Sequence, residues 1–526
     1  MKRPQSLLRT FGSISSATSL SRVLGLVRDQ TMSFYFGAGP ATDAFLAAFR
    51  IPNLLRDLFA EGALSSAFVP TFSAARQREG DAAAWRLANR LITALIALLG
   101  PLTLLIAFGA PWILAVYVAG FPADKLELSV TMTRILSPFL LFVALAAVAM
   151  GVLNTCGRFF LASFAPALFN VAAIAGMLLL VPLLPRLGLD PALALPIGAI
   201  VGGALQFLVQ LPGMHAQGFR FRLELALGDP GLRRMAWLML PATFGLAATQ
   251  INILVDTVLA SSLGHGPITY LSYSFRLIQL PIGLFGVALG TANLVRVSDD
   301  AAHGDRDSMR ANLASALRAS AMLTLPATAG LISLREPIVR VLFEHGQFDA
   351  ADTRRTAAAL LLYAVGLCAY SATKIQVPTY YALRDTRTPV IASVTAVTAK
   401  IAASFLFIAI LNRLGFDPFL ALALSTSLAA WINFIWLGAG LRRHLGRAAG
   451  AGIVAAHVKM VAPSVALGLA CAGTHAALES WFGGAGRVGE ILRLGSSMIV
   501  GLAVLAVGLL MIDLPESRLL TSRWRR

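Results

Sequence analysis

About fourteen apolar runs of membrane-spanning length follow one another along this chain, and they limit its fold more than any other feature. A helix needs roughly 20 apolar residues to cross a bilayer. Only 13% of the residues are charged and the mean hydropathy is +0.74, so a water-soluble core is not expected. The sequence therefore predicts an all-α polytopic membrane protein. The predicted helices span residues 11–36, 41–75, 87–117, 129–154, 160–184, 191–213, 235–263, 267–296, 310–333, 354–383, 388–412, 417–441, 453–474 and 488–513.

The basic residues indicate the orientation of these helices. Lysine and arginine concentrate in every second loop, which is the pattern of cytoplasmic loops. An even number of crossings places both termini on the same side, so both are predicted to be cytoplasmic. This distribution explains the net charge of +17 without a nucleic-acid-binding domain. The basic loops lie near Arg76, Arg158, Arg220, Arg306, Arg384 and Arg442, with further cations at both termini.

The second half of the chain repeats the first at an offset of about 226 residues. The segment FRIPNLLRDLF aligns with FRLIQLPIGLF, which pairs Arg50 with Arg276, and the same register pairs Gly120 with Gly346. Parallel repeats of this kind occur in alternating-access transporters. We therefore predict two lobes followed by an extra helix pair. Their bounds are residues 1–230 (helices 1–6), 231–445 (helices 7–12) and 446–526 (helices 13 and 14 with a tail).

Charged side chains interrupt the first two predicted helices, within residues 21–70. Each would cost about 2.5–3.5 kcal/mol at the centre of a bilayer, so such residues face one another or water and mark functional sites. On ideal helices they form one polar face per helix. The first face carries Thr18, Arg22 and Asp29, and the second carries Asp43, Arg50, Asp57 and Glu61.

Cations outnumber carboxylates among these membrane-embedded residues, which leaves two interpretations open. One is a pocket for an anion, most naturally phosphate, because guanidinium groups match phosphate oxygens bidentately. The other is a set of arginine–aspartate pairs that only orient the helices. The candidate cations are Arg22, Arg28, Arg50, Arg56, Arg276 and Lys374.

A separate candidate site lies on the seventh predicted helix, where Thr249, Asn252 and Asp256 share a face. Oxygen ligands on a membrane helix can hold Na⁺ or relay a proton. The alternative is that Asp256 pairs with a buried cation such as Lys400.

The sequence contains no pattern typical of an enzyme. Its seven histidines are scattered, and it has neither a Walker loop nor an HExxH motif. Cys156, Cys368 and Cys471 lack the spacing of a disulfide framework or a metal site, so they are predicted to be packing residues. No metal site or bound cofactor is predicted, apart from an ion at Asp256.

Six motifs distributed over nearly the whole chain resemble those of the MurJ (MviN) lipid II flippases, a family of the multidrug/oligosaccharidyl-lipid/polysaccharide exporter superfamily. These motifs are SRVLGLVRD, GAGPATDAF, PNLLRDLFAEGALSSAFVP, QLP, PIGLFGVALGT and KIQVPTYYALRDTRTP. The resemblance implies two six-helix lobes around a cationic cavity, with helices 13 and 14 forming a groove for a polyprenyl tail. It also implies movement of a lipid-linked disaccharide pentapeptide, held by its pyrophosphate, to the outer leaflet of the bacterial inner membrane for peptidoglycan synthesis.

The resemblance further implies roles for individual residues and partners. Arg22, Arg28, Asp29, Arg56 and Arg276 match cavity residues, and Ser21 with Arg22 matches a portal pair. Partners would be the glycopeptide lipid, membrane lipids and cell-wall synthesis or division proteins, with the protein as a monomer driven by Na⁺ or the membrane potential. The residues expected at the portal and gates are Ser21, Asp29, Asp43, Asn53 and Glu61.

The eighth predicted helix departs from the family pattern. Val295 and Arg296 stand where related sequences usually have leucine and proline, so this helix is expected to bend less. Three other functions fit parts of the pattern: a flippase for another polyprenyl-pyrophosphate glycan, an exporter of organic cations, and a membrane scaffold for cell-wall synthesis. A cation exporter would favour a carboxylate-dominated cavity, whereas arginine dominates this one.

Overall fold

The structure, a computed structural model, consists of helices and connecting turns throughout the residues it describes, with no strand among them. It describes residues 4–56, 64–226, 228–446, 452–482 and 486–512, without the side chains of 4–15, 65–66 and 240–249. The all-α prediction is confirmed. The helices of the first half are α1 (Pro4–Phe36), α2 (Pro40–Arg56), α3 (Ser65–Glu79), α4 (Asp81–Tyr117), α5 (Ala123–Leu136), α6 (Phe139–Thr155), α7 (Phe159–Leu180), α8 (Ala194–Leu208), α9 (Leu211–Ala216) and α10 (Pro230–Ser261).

The second half continues in the same way. It comprises α11 (Pro267–Pro281), a π-helical turn (Ile282–Val287), α12 (Ala288–His303), α13 (Arg306–Ser333), α14 (Arg335–Phe343), α15 (Ala350–Val365), α16 (Leu367–Ala382), α17 (Arg387–Arg413), α18 (Leu420–Leu445), α19 (Ile453–Ala477), α20 (Glu479–Phe482) and α21 (Gly486–Met511).

Helices long and apolar enough to cross a membrane number nine in the described part of the chain. The number rises to eleven if two bent pairs, α13 with α14 and α15 with α16, each count as one span. Every predicted apolar run overlaps at least one observed helix. The predicted count of fourteen spans is not confirmed.

Several predicted helices differ from the observed ones at their breaks. The single helix predicted over 129–154 is two helices, α5 and α6, separated at Ser137 and Pro138. Proline lacks the N–H that an uninterrupted helix would use there. At the end of α13, α14 departs at an angle of 72°, and α15 and α16 meet at 44°. The helix predicted over 267–296 continues through Val295 and Arg296 to His303.

The chain forms two compact units. The first comprises Met1–Thr269 with His345–Phe348, and the second comprises Tyr270–Glu344 with Asp349–Arg526. This division does not test the predicted lobe boundary at residues 230 and 231.

Close helix packing in the first unit depends on small residues. A Cβ at Gly198 would lie 3.2 Å from the backbone of Ala173, and one at Gly202 would lie 2.8 Å from the carbonyl oxygen of Phe169, so α7 and α8 are in backbone contact. Small residues are the usual means of bringing membrane helices this close. As a result α7, which also packs along α1, has little freedom to shift.

In the second unit a buried arginine joins the last three helices. Arg493 on α21 donates to Glu490 at 3.0 Å, to Glu479 at 3.2 Å and to the His475 carbonyl oxygen at 3.2 Å. The side chain of Arg493 is buried, so these partners compensate for the loss of its hydration. The sequence patterns did not single out this cluster.

Candidate functional site

Arg28 lies near the middle of the charged part of α1, where its guanidinium group has two fixed neighbours. Its Nε and Nη2 atoms donate to Oδ1 of Asp29 at 3.1 and 2.8 Å. The same guanidinium carbon lies 5.5 Å from the ring centroid of Phe169 on α7, within cation–π range. Asp29 is buried and Arg28 is partly exposed, so the guanidinium group lies at the edge of the packed region.

Phe169 belongs to an aromatic cluster that fixes its position. Its ring centroid lies 5.5 Å from that of Phe139 on α6 and 6.1 Å from that of Phe49 on α2. Phe139 is buried in the core of the unit, and offset or tilted ring contacts of this kind stabilise packing. The aromatic surface beneath Arg28 is therefore held by three helices rather than by α7 alone.

The residue next to this ring contacts the portal region of α1. Nδ2 of Asn170 donates to the backbone carbonyl oxygen of Ser21 at 3.0 Å. This amide thus fixes α1 to α7 about two turns before Arg28. Arg22, which follows Ser21, is exposed.

Asp43 is a fully buried charge in the described part of the first unit. Its carboxylate accepts from Nζ of Lys125 at 2.7 Å and from the backbone N–H of Gly266 at 2.8 Å. It also accepts from the backbone N–H and the hydroxyl of Thr269 at 3.0 and 2.7 Å. Both charged side chains have no exposed surface. Asp43 at the start of α2 therefore joins α5 to the first turn of α11.

Lys125 has a second neighbour that accounts for its burial. Its Nζ atom lies 4.0 Å from the ring centroid of Phe121. A buried ammonium group requires an anionic partner and further polarisable contacts, and Asp43 and Phe121 supply them. The sequence patterns did not single out Lys125, because its partner lies on a distant helix.

Two glycines that the sequence repeat pairs with each other make equivalent close contacts. A Cβ at Gly120 would collide with the backbone of Ser262, which follows α10. A Cβ at Gly346 would collide with the carbonyl oxygen of Phe34, near the end of α1. The backbone N–H of Gln347 donates to that same oxygen at 3.0 Å. Each of these two glycines thus leaves the space in which the end of a long helix packs.

The remaining predicted cations and gate residues lie in several places. Arg50, Asn53 and Arg56 are half-buried on α2, and Arg56 is the last residue of that helix. Arg276 on α11 is half-buried and Lys374 on α16 is exposed, both in the second unit. The predicted charges at Asp57 and Glu61 lie outside the described residues.

Asp256 and Asn252 are both half-buried on α10. The side chain of Thr249, the third predicted member of this face, lies outside the described set. Lys400 on α17 is fully buried. These placements leave the choice between an ion site and a structural carboxylate at Asp256 as a prediction.

No group of three or more His, Cys, Asp or Glu residues in the described part of the chain is arranged to hold a metal ion. The three cysteines are free thiols. Burial raises the pKa of the Cys156 thiol, at the end of α6, above its ordinary value despite nearby Arg76. Cys156 accordingly resembles a packing residue more than a reactive thiolate.

The fold places the protein in a recognisable class, the multi-pass helical transporters. A structure described as a multidrug resistance MATE family transporter of the MOP superfamily, in an inward-facing conformation, matches with a TM-score of 0.63, covering 84% of this chain and 99% of that one. At 15% identity this likeness concerns the fold alone. A structure described as lipid II flippase MurJ, inward closed conformation, matches with a TM-score of 0.76 at 26% identity, covering 98% of this chain and 99% of that one.

Sequence comparison identifies the family. The profile described as lipid II flippase MurJ matches residues 32–492. The lipid II flippase MurJ of Burkholderia cenocepacia is 38% identical over 445 residues, 83% of this chain and 84% of that protein. A probable lipid II flippase MurJ of Vibrio cholerae is 37% identical over 444 residues, 83% of each chain. The chain belongs to the lipid II flippase MurJ family.

Proposed function

We propose that this protein moves lipid II, a polyprenyl-pyrophosphate disaccharide pentapeptide, from the inner to the outer leaflet of the cytoplasmic membrane by alternating access. Family membership supports this proposal, and the substrate is taken from the relatives, which are named lipid II flippases. The observation that carries it is the arginine on α1: a guanidinium group on a helix that the sequence predicts to cross the membrane, oriented by Asp29 and Phe169 and still partly exposed.

The chemistry of Arg28 suits a pyrophosphate ligand. Its two bonds to Asp29 use two of the five N–H donors of a guanidinium group, so donors remain for an incoming anion. Contact with an aromatic face leaves these in-plane donors accessible, because the ring lies beside the cation instead of accepting its hydrogen bonds.

Other cations of the predicted set complete the proposed substrate contacts. We assign the pyrophosphate to Arg22, Arg28, Arg56 and Arg276, with Arg50 and Lys374 as further contributors. Ser21, Asp29, Asp43, Asn53 and Glu61 are the proposed portal and gate residues. The proposed gate role of Asp43 is supported by the four hydrogen bonds that its carboxylate accepts. A buried carboxylate of this kind can fix one closed arrangement of helices.

The same proposal covers location and mechanism. The protein would be a non-enzymatic monomer in the bacterial inner membrane with both termini cytoplasmic, and membrane lipids and cell-wall synthesis or division proteins would be its other partners. Cysteines placed at exposed Arg306 and Arg186 would test the orientation. An impermeant thiol reagent applied from outside should label the Arg186 position and not the Arg306 position, and the reverse result would contradict it.

The test of the substrate site is the replacement of Arg28 by alanine and by lysine. A charge-assisted hydrogen bond contributes about 1.5–3 kcal/mol, so Arg28→Ala should weaken lipid II binding roughly ten- to a hundredfold. Lysine keeps the charge and loses the planar fork, so Arg28→Lys should restore binding only in part. Lipid II binding to the purified protein and rescue of cells depleted of the native gene are the measurements.

Two controls separate binding from folding. Arg186→Ala removes an exposed arginine outside the site and should leave binding unchanged. If Arg28 only braces α1, Arg28→Ala would lower thermal stability by leaving Asp29 buried without its cation, and Arg28→Ala with Asp29→Asn would restore it. Restored stability together with restored transport would contradict the proposal. Accumulation of a different lipid-linked precursor in depleted cells would identify another substrate.

A further inference from the structure

Residues 219–226, between α9 and α10, have no regular secondary structure and are bonded to the beginning of α4; we call them the strap. The side chains of α4 supply the hydrogen bonds that a neighbouring strand would otherwise provide. Nδ2 of Asn89 donates to the carbonyl oxygen of Arg220 at 2.9 Å, and Oδ1 of Asn89 accepts from the N–H of Arg222 at 3.1 Å. Oγ1 of Thr93 accepts from the N–H of Glu224 at 3.1 Å.

The spacing of these bonds indicates that the strap is extended. Two residues of extended chain advance about 6.6 Å, and four residues of α-helix advance about 6 Å. Arg222 and Glu224, two residues apart, therefore match Asn89 and Thr93, four residues apart, in register. The strap lies parallel to α4 and has little freedom to coil into a helix of its own.

Both ends of the strap are also anchored. Phe219 is buried, and its ring lies 5.7 Å from that of Trp85 on α4. At the other end Arg90 of α4 pairs with Glu224 and with Asp229. Asp229 accepts in addition from the first N–H groups of α10, so the strap ends at a fixed helix start.

The docked strap turns a row of apolar side chains away from the protein. Phe221, Leu223 and Leu225 are 52%, 74% and 63% exposed. Alternate residues of an extended chain lie on one side, so these three form a continuous apolar edge. Trp237 and Leu238, two turns into α10, are exposed as well. Aromatic residues with such exposure concentrate where membrane helices meet the headgroup region.

Positive charge accompanies this apolar edge. Arg220, Arg222, Arg233 and Arg234 are exposed. Arg220 also contacts Nδ1 of His215 at 2.7 Å, which provides no carboxylate. Glu224 and Asp229 are the only carboxylates between residues 217 and 238, and both pair with Arg90 instead. The exposed arginines thus have no acidic neighbour in their own segment.

The position of the strap along α4 places it at the membrane boundary. α4 has 37 residues, about 55 Å of helix, whereas the hydrocarbon core is about 30 Å thick. Its sequence becomes apolar from Leu91 onward, and the strap docks at Asn89 and Thr93, on either side of that change. An apolar edge at this level would meet the acyl chains, and arginines beside it would meet the headgroups.

We propose that the strap is an anionic-phospholipid-binding element: Phe221, Leu223 and Leu225 enter the boundary of the bilayer, and Arg220 and Arg222 bind the phosphates of acidic lipids. Each arginine near an anionic surface changes the association constant of such a lipid by about fivefold. The strap is independent of the transported substrate, so it would operate even if Arg28 bound a different lipid-linked glycan.

The experiment places a bimane fluorophore at Leu223→Cys in the full chain with Cys156, Cys368 and Cys471 replaced by alanine. The protein is reconstituted in bilayers with a nitroxide-labelled quencher lipid that is either phosphatidylglycerol or phosphatidylcholine. We expect quenching by both lipids, with stronger local association of phosphatidylglycerol. Arg220→Gln with Arg222→Gln should reduce that preference by about tenfold or more, whereas Arg186→Gln, at an exposed arginine elsewhere, should leave it unchanged.

A fluorophore at Leu104→Cys, on the exposed membrane face of α4, is the matched control and should show no headgroup preference. Asn89→Ala with Thr93→Val should release the strap and weaken quenching at position 223 without altering the Leu104 control. Absence of quenching at position 223, or a phosphatidylglycerol preference that survives both glutamine substitutions, would overturn the proposal. So would loss of the preference in buffered inorganic phosphate, which would identify free phosphate as the ligand.

Discussion

Asp43 shows how a single membrane-embedded carboxylate can be accommodated. Removing two charges from water costs several kcal/mol each, and a good ion pair with additional hydrogen bonds is needed to offset that cost. Asp43 receives one ammonium group, two backbone N–H groups and one hydroxyl, all within 3.0 Å. Both of its oxygens are thereby used. The four donors come from Lys125 on α5, from Gly266 just before α11 and from Thr269 in its first turn, so the site depends on the packing of these segments against α2.

Asp43→Ala is expected to destabilise the protein by roughly 3–5 kcal/mol, because it leaves the Lys125 ammonium group buried without a carboxylate. Thermal unfolding in detergent measures this effect. Asp43→Asn with Lys125→Met removes both charges together and should recover much of the loss. A double variant no more stable than Asp43→Ala would show that the hydrogen bonds to Gly266 and Thr269, not the ion pair, dominate.

The sequence predicted that Asp43 would be a buried functional charge, since a carboxylate within an apolar helix must have polar partners. It did not predict the partners. Nothing in the sequence connected Asp43 with Lys125, and Phe169, which contacts Arg28, resembled any other apolar residue of a membrane helix. Such pairings depend on contacts between distant parts of the chain, which single-sequence periodicity does not contain.

At the scale of helices, the apolar runs predicted where the helices lie but not where they are interrupted. Pro101 and Pro111 lie inside α4, which continues past both, whereas Pro138 separates α5 from α6. Proline alone therefore did not indicate where a helix would break. The outcome depends on whether neighbouring helices compensate for the lost hydrogen bond. At the bend before α14, Pro337 lies in the first turn of the new helix and cannot donate to the carbonyl of Ser333, the last residue of α13.

Gly346→Ala is expected to destabilise the protein because its contact with α1 leaves no room for a methyl group. A Cβ would collide with the Phe34 carbonyl oxygen, and displaced packing typically costs about 1–3 kcal/mol. Gly346 also has a φ of +60°, which disfavours any side chain. Gly188→Ala is the matched control, since Gly188 has a φ of +72° and no neighbour within 4 Å of its Cβ position.

The difference in melting temperature between these two variants isolates the contact from the backbone strain that both share. Gly346→Ala should melt lower than Gly188→Ala. Equal melting temperatures would mean that the turn at residues 345–348 moves away from α1 at little cost.

Asp385 links the stability of α17 to pH. The hydroxyl and N–H of Thr388, at 2.6 and 2.9 Å, and the N–H of Arg387 hold its pKa below the ordinary value of 3.8. A carboxyl group whose pKa is lower in the folded state stabilises the protein at any pH above its unfolded-state pKa. This contribution disappears as the pH falls through the folded-state pKa. The stabilisation is therefore present at neutral pH and lost in strongly acidic solution.

Asp385→Asn should keep part of the helix cap and remove its titration. The wild type should melt higher than the variant at neutral pH, and the gap should close as the pH falls below about 3.8. Asp124→Asn, at an exposed position, controls for the loss of a negative charge. A gap that stays constant throughout the acidic range would exclude this carboxylate as the titrating group.

At the scale of the whole molecule, the sequence repeat predicted two similar halves, and the structure shows where the similarity holds. Gly120 and Gly346 make the same kind of contact with a helix end. Asp43 and Thr269 are themselves a repeat-related pair, and they bond to each other. The similarity does not extend to helix continuity. The repeat pairs Pro111 with Pro337, but Pro111 lies within α4, whereas Pro337 lies in the first turn of the separate helix α14. A repeat in sequence therefore preserved contacts better than helix direction.

Transport by this protein is expected to depend on Na⁺ or on the membrane potential through Asp256. The carboxylate is half-buried on α10 with Asn252 one turn earlier, a placement in which oxygen ligands can hold a monovalent cation. Asp256→Asn removes the negative charge with almost no change in size. It should lower transport and abolish the dependence on the coupling ion, while thermal unfolding stays close to that of the wild type.

The measurement is lipid II translocation in proteoliposomes with an imposed Na⁺ gradient or potential, each varied separately. Asn252→Ala removes one neutral ligand and leaves the charge, so it should raise the Na⁺ concentration needed for half-maximal transport without abolishing coupling. A site that binds Na⁺ would respond to the gradient in the absence of a potential, whereas a carboxylate that only relays protons would not. A group that carries the ion cannot be neutralised without changing the response of transport to that ion. If Asp256→Asn retains the full ion dependence and loses stability instead, the carboxylate is therefore a structural partner of a buried cation, and coupling resides elsewhere.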